Sequence, residues 1–396
     1  MPSSFTPFDE AFMHRALALA EGAIGLASPN PQVGCVLARE AITLAEGTHL
    51  YDAFDHAEIV ALKLAAFEGV DVRGATAYVT LEPCSHHGRT GPCADALIAA
   101  GISRCVVATA DPNPQVSGRG IARMRAAGIA VEIGLCEAQA RELNRAFACS
   151  ITWHRPFITL KAALSVDGYL APPPQARSPN EPFWLTGPDA RAEVQLLRHA
   201  SDAILAGIGT VLADDPLLTD RSGLPRRRPL MRVILDTHLL TPVAAKLVQS
   251  ARQNQQQDLW IFCGPDAPND RRAALEECGV RVIRVAQVSS DEPNLAAGLN
   301  INEILAHLHS AQIGSVLLEA GSAINGAFLR QNLVDQVVLF YSETELGPGS
   351  MPFATGNAGS FALEEKMLAV SKRMVGPDVR VSGLLHDPWA NLPSFG

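Results

Sequence analysis

Apolar residues in the first third of the chain switch between two periods. Phe12, Ala16, Leu19 and Ala23 recur every three or four positions and predict a helix, which Gly22 and Gly25 bring to a close. Residues 33–38 form a short apolar run bounded by turn residues and predict a buried strand. A helical pattern follows over 57–67, then strands at 75–81, 104–109 and 129–133. One helix is predicted to open at Pro92, since proline suits the first helical position, and to stop at Gly101; another lies between the last two strands. This alternation predicts a layered α/β domain.

The segment 151–156 separates that set from a second one opening at Phe157, so the domains are expected at 1–150 and 151–396. The second set predicts strands near 203–207, 231–236, 259–263, 280–285, 314–319 and 335–341, with helices near 188–199, 270–278, 301–310 and 323–332. Two further strand-like runs, 366–374 and 379–385, end the pattern, and the Pro-rich 172–182 and Gln-rich 253–257 read as surface excursions.

Composition agrees with two folded cores: 396 residues, 47% apolar and 18% charged. A formal charge of −9 argues against nucleic-acid binding, which needs a basic footprint, but leaves room for a small molecule bearing one phosphate. The acidic N-terminal stretch does not read as a signal peptide, and no run of 18 apolar residues predicts a membrane span. Eight cysteines scattered over so long a chain read as reduced, and the expected location is cytoplasmic.

The chemistry concentrates in three places. His56-Ala57-Glu58 is followed by Pro83-Cys84 and then by Pro92-Cys93. One imidazole and two thiolates suit zinc, and three protein ligands leave the fourth position open for water, as in a catalytic site. Lowering the pKa of water from 15.7 to about 7 corresponds to roughly 12 kcal/mol. Glu58 fits as the group that moves protons. Residues two apart do not share a helix face, so the motif requires His56 to sit where the helix has not yet begun. Cys93, following Pro92, is expected in a first helical turn, whose positive end favours a thiolate. Cys35, inside an apolar strand, reads as core packing and not as a fourth ligand.

The His-x-Glu and Pro-Cys pattern is that of the zinc nucleobase deaminases, although here eight residues separate the cysteines. That long insert, Thr80-Leu81-Glu82-Pro83-Cys84-Ser85-His86-His87-Gly88-Arg89-Thr90-Gly91-Pro92-Cys93, resembles the deaminases of riboflavin biosynthesis. So do Pro29-Asn30-Pro31-Gln32-Val33-Gly34-Cys35-Val36 and Asp111-Pro112-Asn113-Pro114. The resemblance implies a cytidine-deaminase-like α/β/α sandwich that hydrolyses the 2-amino group of a diamino-pyrimidinone carrying a ribosylamino phosphate. By position it implies that Asn30, His49 and His86 contact the pyrimidine or its sugar and that Arg89 faces the phosphate. Gly91 stands where the family usually has a second proline, and Ala53 where it has glycine.

From Arg155 to Gly168 the chain resembles the opening of the same family's reductase domain, of dihydrofolate-reductase-like α/β fold. Trp184-Leu185-Thr186-Gly187, the run 207–216, Asp236 and Leu318-Glu319-Ala320-Gly321 extend the match. The resemblance implies NADPH-dependent reduction of the ribosyl group to ribityl. Lys161, Asp214 and Glu319 become candidates for orienting and protonating the substrate. Arg198, Leu218 and Arg221 become candidate substrate contacts, the arginines to its phosphate. Trp184, Thr186, Gly187, Thr210, Asp214 and Gly321 are expected to line the NADPH site. Four positions at three places depart from the family: Pro182 replaces a serine, Leu240 a common arginine, and Ser342-Glu343 an Ala-Pro pair. Losing the serine removes one hydrogen bond, worth about 0.5–1.5 kcal/mol. Relatives imply a homo-oligomer. The alternative is a deaminase of another nucleobase fused to a non-catalytic nucleotide-binding scaffold; the long insert and Arg89 speak against it.

Overall fold

A computed structural model describes residues 5–86, 91–176, 183–254, 256–288, 298–356, 359–390 and 392. The chain divides into two compact units. One runs to His154 and includes Pro225–Arg228 and the segment from Pro388; the other comprises Arg155–Leu224 and Pro229–Asp387.

The first unit follows the order α1 (Pro7–Glu21), β1 (Gly34–Arg39), β2 (Ile42–Thr48), α2 (Ala57–Phe67), β3 (Thr76–Val79), α3 (Cys93–Ala99), β4 (Arg104–Val107), α4 (Arg119–Ala126), β5 (Ala130–Ile133), α5 (Glu137–Leu143) and α6 (Arg145–Trp153). The sheet order is β2-β1-β3-β4-β5; β1 is antiparallel to both neighbours, and β3, β4 and β5 are parallel. Successive strand residues face opposite sides. Val36, Ala38, Tyr78 and Val106 pack under Phe12, Met13, Ala16 and Leu17 of α1. Cys35, Leu37, Ala77, Val79, Cys105 and Val107 pack against α2, α3 and α4. Burial on both faces is why these strands read as unbroken apolar runs. β2 escaped the sequence reading because it is an edge strand with a half-exposed pattern. The expected separator at 151–156 instead begins as the last turn of α6.

The second unit contains β6 (Phe157–Leu164), β7 (Tyr169–Ala171), α7 (Pro188–Ala200), β8 (Ala203–Gly207), α8 (Ile208–Asp214), β9 (Met231–Leu235), α9 (Lys246–Asn254), β10 (Leu259–Cys263), α10 (Asn269–Glu276) and β11 (Arg281–Arg284). After these come β12 (Gln287–Val288), β13 (Gly298–Leu299), α11 (Ile301–Ser310), β14 (Ser315–Leu318), α12 (Ser322–Arg330), β15 (Gln336–Tyr341), β16 (Met351–Pro352), α13 (Ser360–Glu364), β17 (Leu368–Val375) and β18 (Asp378–Leu384). Its main sheet has the order β11-β10-β9-β8-β14-β6-β15-β18-β17, parallel from β11 to β15 and antiparallel beyond. One face packs on α11 and Phe328 of α12; the other on α9 and α10 and, further along, on Ala190 and Val194 of α7. α8 and α9 were not predicted: α8 is a single short helix where a glycine-rich turn was read, and α9 is largely polar. Among the described residues, no helix is long and apolar enough to cross a membrane.

α1 is fastened to the sheet by one buried carboxylate. Asp9 accepts from Thr6 N–H at 2.8 Å, from Tyr78 O–H at 2.7 Å and from Arg104, which also grips Glu132. Burial opposes the charge on Asp9, but Arg104 and these hydrogen bonds outweigh it and hold the group below the usual carboxylate range. Replacing Asp9 with Asn is expected to cost on the order of 3 kcal/mol at pH 7. Because the folded-state pKa is depressed, that stabilisation is complete above the unfolded value near 3.9 and declines as pH falls below it. The gap between the urea midpoints of Asp9→Asn and the unaltered chain should therefore narrow steadily as pH falls below about 5, without closing by pH 2; a gap independent of pH counts against the charge as its source.

Candidate active sites

The helix start that the motif requires is present. α2 begins at Ala57, and His56 is its N-cap, with extended φ −74° and ψ 160°. Glu58 belongs to the first turn, so imidazole and carboxylate reach one pocket although they are only two residues apart. Gly47 of β2 makes this possible: a Cβ there would lie 2.1 Å from the Ala57 carbonyl oxygen, so glycine lets the helix start rest directly on the strand. Cys84 follows β3, and its carbonyl accepts from Ala94 N–H at 3.1 Å, binding it to the opening of α3. Cys93 is the first residue of α3; Pro92 occupies the N-cap and not the first helical position that the sequence suggested.

These placements converge. His56 Nδ1 lies 3.5 Å from Cys84 Sγ and 3.3 Å from Cys93 Sγ, and the three donor atoms all fall within 4.8 Å of one another. A tetrahedral zinc with bonds of about 2.0–2.1 Å to nitrogen and 2.3 Å to sulfur spaces such ligands roughly 3.5 Å apart. The donor set and its spacing fit zinc. The Cys93 thiol donates to Cys84, which lowers the Cys84 pKa, while that of Cys93 is driven up by the shared proton and by burial. The protein thus holds one thiolate ready and a second proton for a cation to displace. Cys35 is fully buried in β1 and stands outside the cluster.

Glu58 is 3% exposed, and burial pushes its carboxyl up to about 7, the range suited to taking and returning a proton near neutrality. The cavity beside it has a volume of about 240 Å³ and is lined by Asn30, His49, His56, Glu58, Cys84, His86, Asp111 and Asn113, with Phe147 and Ile151 as an apolar wall. His49 is buried, and burial lowers its pKa, which keeps the ring neutral. Its Nδ1 donates to the Asp55 carbonyl at 2.8 Å, so Nε2 is the acceptor and takes a hydrogen bond from Asn30 Nδ2 at 2.9 Å. His86 lines the cavity from an exposed position. Arg89 lies outside the described residues.

Three contributors went unrecognised in the sequence. Glu82 is buried, and its carboxylate accepts from Asp111, Gly118, Gly120 and Ile121 N–H groups at 2.9–3.3 Å, which caps α4 and fixes the loop carrying Asp111 and Asn113. Gly120 is required by contact, since a Cβ would meet the Pro83 carbonyl oxygen at 1.9 Å. Asp111 is buried in the cavity wall, and burial raises its pKa to about 7. The Asp-Pro-Asn-Pro turn chemistry was the available signal. The third contributor is α6, which supplies Phe147 and Ile151.

In the second unit, register assembles a charged cluster. β14 and β6 pair in parallel with Leu318 beside Leu160, so the next pair along places Glu319 beside Lys161, on the face opposite the main core. Lys161 Nζ lies 3.5 Å from Glu319 Oε2. Arg198, in the last turn of α7, donates from Nε to Glu319 Oε1 at 2.8 Å and from Nη2 to Oε2 at 3.1 Å. Burial would raise the Glu319 pKa, but Lys161 and Arg198 together bring it down to about 2. Glu319 is therefore an acceptor at neutral pH and cannot supply a proton. Arg198, expected with Arg221 to meet the substrate phosphate, is held on Glu319 and on the Thr219 carbonyl.

The remaining candidates are more dispersed. Leu218 is 4% exposed and packs among Ile204, Val211 and Leu230, so its side chain belongs to the core. Gly187 N–H donates to Asp378 at 2.8 Å, which occupies the amide expected to meet a cofactor. Thr186 is buried beneath Arg191, whose guanidinium also lies 5.1 Å from the ring centre of Trp184, itself 63% exposed. Asp214 is exposed at the end of α8, Thr210 is half-buried in the same helix, and Arg221 is exposed. β8 and β14 are neighbours whose chains leave in opposite directions, towards β9 and across β6 to β15. Such a switch point, outside the carboxyl ends of parallel strands, is where α/β sheets bind nucleotides. Gly321, the N-cap of α12, stands there with open space where a Cβ would be, and the helix start has no side-chain cap. Leu240, a departure from the family, is exposed and uses only its N–H, towards Asp236; Pro182 lies outside the described residues.

Residues 156–379 match the RibD C-terminal domain family, and residues 6–109 match the cytidine and deoxycytidylate deaminase zinc-binding region. The riboflavin biosynthesis protein RibD of Escherichia coli (strain K12) is 39% identical over 390 residues, covering 94% of this chain and 98% of that protein. Acinetobacter baumannii RibD superposes with a TM-score of 0.77 at 34% identity, over 95% of this chain and 98% of that one. The diaminohydroxyphosphoribosylaminopyrimidine deaminase/5-amino-6-(5-phosphoribosylamino)uracil reductase of Thermotoga maritima gives 0.77 at 33% identity, with the same coverage.

The cluster predicts a defined metal content. Cys84→Ser and Cys93→Ser should each reduce bound zinc well below one per chain by mass spectrometry of the metal, while Cys35→Ser should leave it unchanged. Zinc lost from the Cys35 variant, or kept by both others, contradicts the ligand set.

Proposed function

The chain belongs to the family of the riboflavin biosynthesis protein RibD, and from that premise we propose how its two units divide the work. It is a bifunctional enzyme of riboflavin biosynthesis, a deaminase that uses zinc and a reductase that uses NADPH. We assign deamination to the domain expected at 1–150 and reduction to that expected at 151–396. The observation that carries the reading is the clustering of His56, Cys84 and Cys93 at a cavity that His56 and Cys84 line together with Glu58, Asn30 and His49.

The substrate of the first step is a diamino-pyrimidinone bearing a ribosylamino phosphate. His56, Cys84 and Cys93 hold zinc, which when bound supplies the Lewis acidity that makes water nucleophilic at neutral pH. Glu58 takes a proton from the attacking water and passes it to the ring nitrogen and the departing ammonia, leaving a carbonyl where the amine stood. The Asn30–His49 hydrogen bond, anchored through His49 Nδ1 on the Asp55 carbonyl, fixes the Asn30 amide so that its Oδ1 and second N–H are offered to the pyrimidine. His86, at the exposed rim of the cavity, faces the sugar.

The product, 5-amino-6-(5-phosphoribosylamino)uracil, is reduced in the second unit. NADPH supplies hydride to C1′ of the ring-opened sugar. Glu319, held ionised, accepts hydrogen bonds from the sugar hydroxyls, and Lys161 beside it holds the proton that the reduced chain needs. Gly321 and the start of α12 receive a cofactor phosphate, with Thr210, Trp184 and Thr186 around the nucleotide and Arg221 towards the substrate phosphate. The net charge of −9 supports small phosphorylated substrates over nucleic acid. A cytoplasmic location is supported by eight cysteines free of disulfides. A homo-oligomer is supported by Leu368, Val370 and Met374, exposed on the edge strand β17.

The test is a coupled assay with zinc-loaded protein, the diamino-pyrimidinone phosphate and NADPH, following ammonia and absorbance at 340 nm together. Ammonia should appear first and NADPH oxidation follow it near one-to-one. Glu58→Gln should keep its zinc and lose ammonia release by a factor on the order of 10²–10⁴, yet still oxidise NADPH when given the deaminated intermediate. Ammonia without oxidation overturns the reductase half; ammonia from cytidine but not from the diamino-pyrimidinone overturns the substrate.

A further inference from the structure

The loop after α8 is held at every residue from Leu217 to Ser222. Arg232, itself buried, donates to the Leu217 carbonyl at 3.3 Å, and Leu218 is anchored in the core. The next three residues are fastened in turn to α7. Arg198 Nη1 donates to the Thr219 carbonyl at 3.0 Å, His199 Nδ1 lies 3.1 Å from Asp220 Oδ2, and Gln195 Oε1 accepts from Arg221 N–H at 2.9 Å. Asp220 Oδ1 then accepts from Ser222 N–H at 2.9 Å.

The helix side of this arrangement is one stripe: Gln195, Arg198 and His199 stand at i, i+3 and i+4 and share a face. The His199–Asp220 pair is buried, each side chain 6% exposed, where an ion pair or charge-assisted hydrogen bond is least screened by water. Ordering an irregular segment so completely costs backbone entropy, and the ties converge on one group. Arg198 closes the loop with Nη1 and grips Glu319 with Nε and Nη2. A loop that drifts from α7 removes the Thr219 hydrogen bond that helps to fix the Arg198 guanidinium in its aim at Glu319. It also frees Arg221, the exposed cation at the far end of the segment.

We infer that Gln195, His199 and Asp220 are positioning residues of the reductase site: they zip loop 217–222 onto α7, so that Arg198 stays on Glu319 and Arg221 faces the phosphorylated end of the substrate. The inference rests on the reading of the second unit as the reductase. None of the three touches the reacting atoms. They act on where the substrate is held, in the ground state and the transition state alike, and such a contribution registers in KM more than in kcat.

The experiment supplies 5-amino-6-(5-phosphoribosylamino)uracil and NADPH to the full chain and to His199→Ala, Asp220→Asn and Gln195→Ala, with melting temperatures measured in parallel. His199→Ala should raise KM for the uracil substrate on the order of tenfold to a hundredfold, the cost of a small misplacement, with kcat and KM for NADPH little changed. Asp220→Asn keeps an acceptor for His199 Nδ1–H and should raise the same KM far less than His199→Ala does. Gln195→Ala, at a half-buried position, should raise the same KM by a smaller factor and serves if His199→Ala does not fold. Ammonia release, governed by the first unit, should be unaltered in all three. If KM stays unchanged while kcat falls with the fraction of folded protein, the zipper is structural only and the inference fails. If the unaltered chain oxidises no NADPH with this substrate, the reductase reading fails and the inference with it.

Discussion

Everything in the first unit turns on where one helix begins. An imidazole and a carboxylate two residues apart can meet in one pocket only if the backbone changes conformation between them, and α2 starts at Ala57, between His56 and Glu58. The layers of the sandwich serve that junction. Gly47 lets the helix start lie on β2. Glu82 draws four backbone N–H groups together and so fixes the loop with Asp111 and Asn113. α3 opens at Cys93 against the Cys84 carbonyl. Glu58 and Asp111 are both buried with raised pKa values, and both face the same cavity; carboxyls buried in this way cluster at functional sites.

The second unit solves a similar problem with strand parity. Lys161 and Glu319 are polar positions in or just after apolar strands, and each faces away from the main core because its neighbours Leu160 and Leu318 face into it. Parallel pairing then brings the two together, and Arg198 reaches them from the helix on that face. The reductase cluster depends on register, since a shift of one residue in either strand would turn its charge into the core.

How much was legible in the sequence follows from the same two facts. The zinc ligands could be read because cysteines, a histidine and a glutamate at those spacings have few other uses, and the helix start between His56 and Glu58 was deducible from helix geometry alone. Strands buried on both faces gave clear runs, and 203–207 and 259–263 were located to the residue. What escaped was polar or tertiary. β2 and α9 lacked a strong apolar signal. Glu82 acts only through a loop some 30 residues away. Leu218 is a family contact by position, yet here its side chain is core. The bond between Arg198 and Glu319 depends on α7 packing over the sheet, which no spacing encodes. Arg89 and Pro182 lie outside the described residues, and their roles rest on resemblance.

The central claim is that three side chains hold a zinc whose fourth position is open. Zinc-edge X-ray absorption on the purified protein tests it most directly. The account predicts two sulfur scatterers near 2.3 Å, with the rest of the shell made of nitrogen or oxygen near 2.0–2.1 Å, and a change in that shell when a pyrimidine product analogue is added. Three or more sulfurs, or a shell indifferent to the analogue, would mean a closed structural site and would contradict the account.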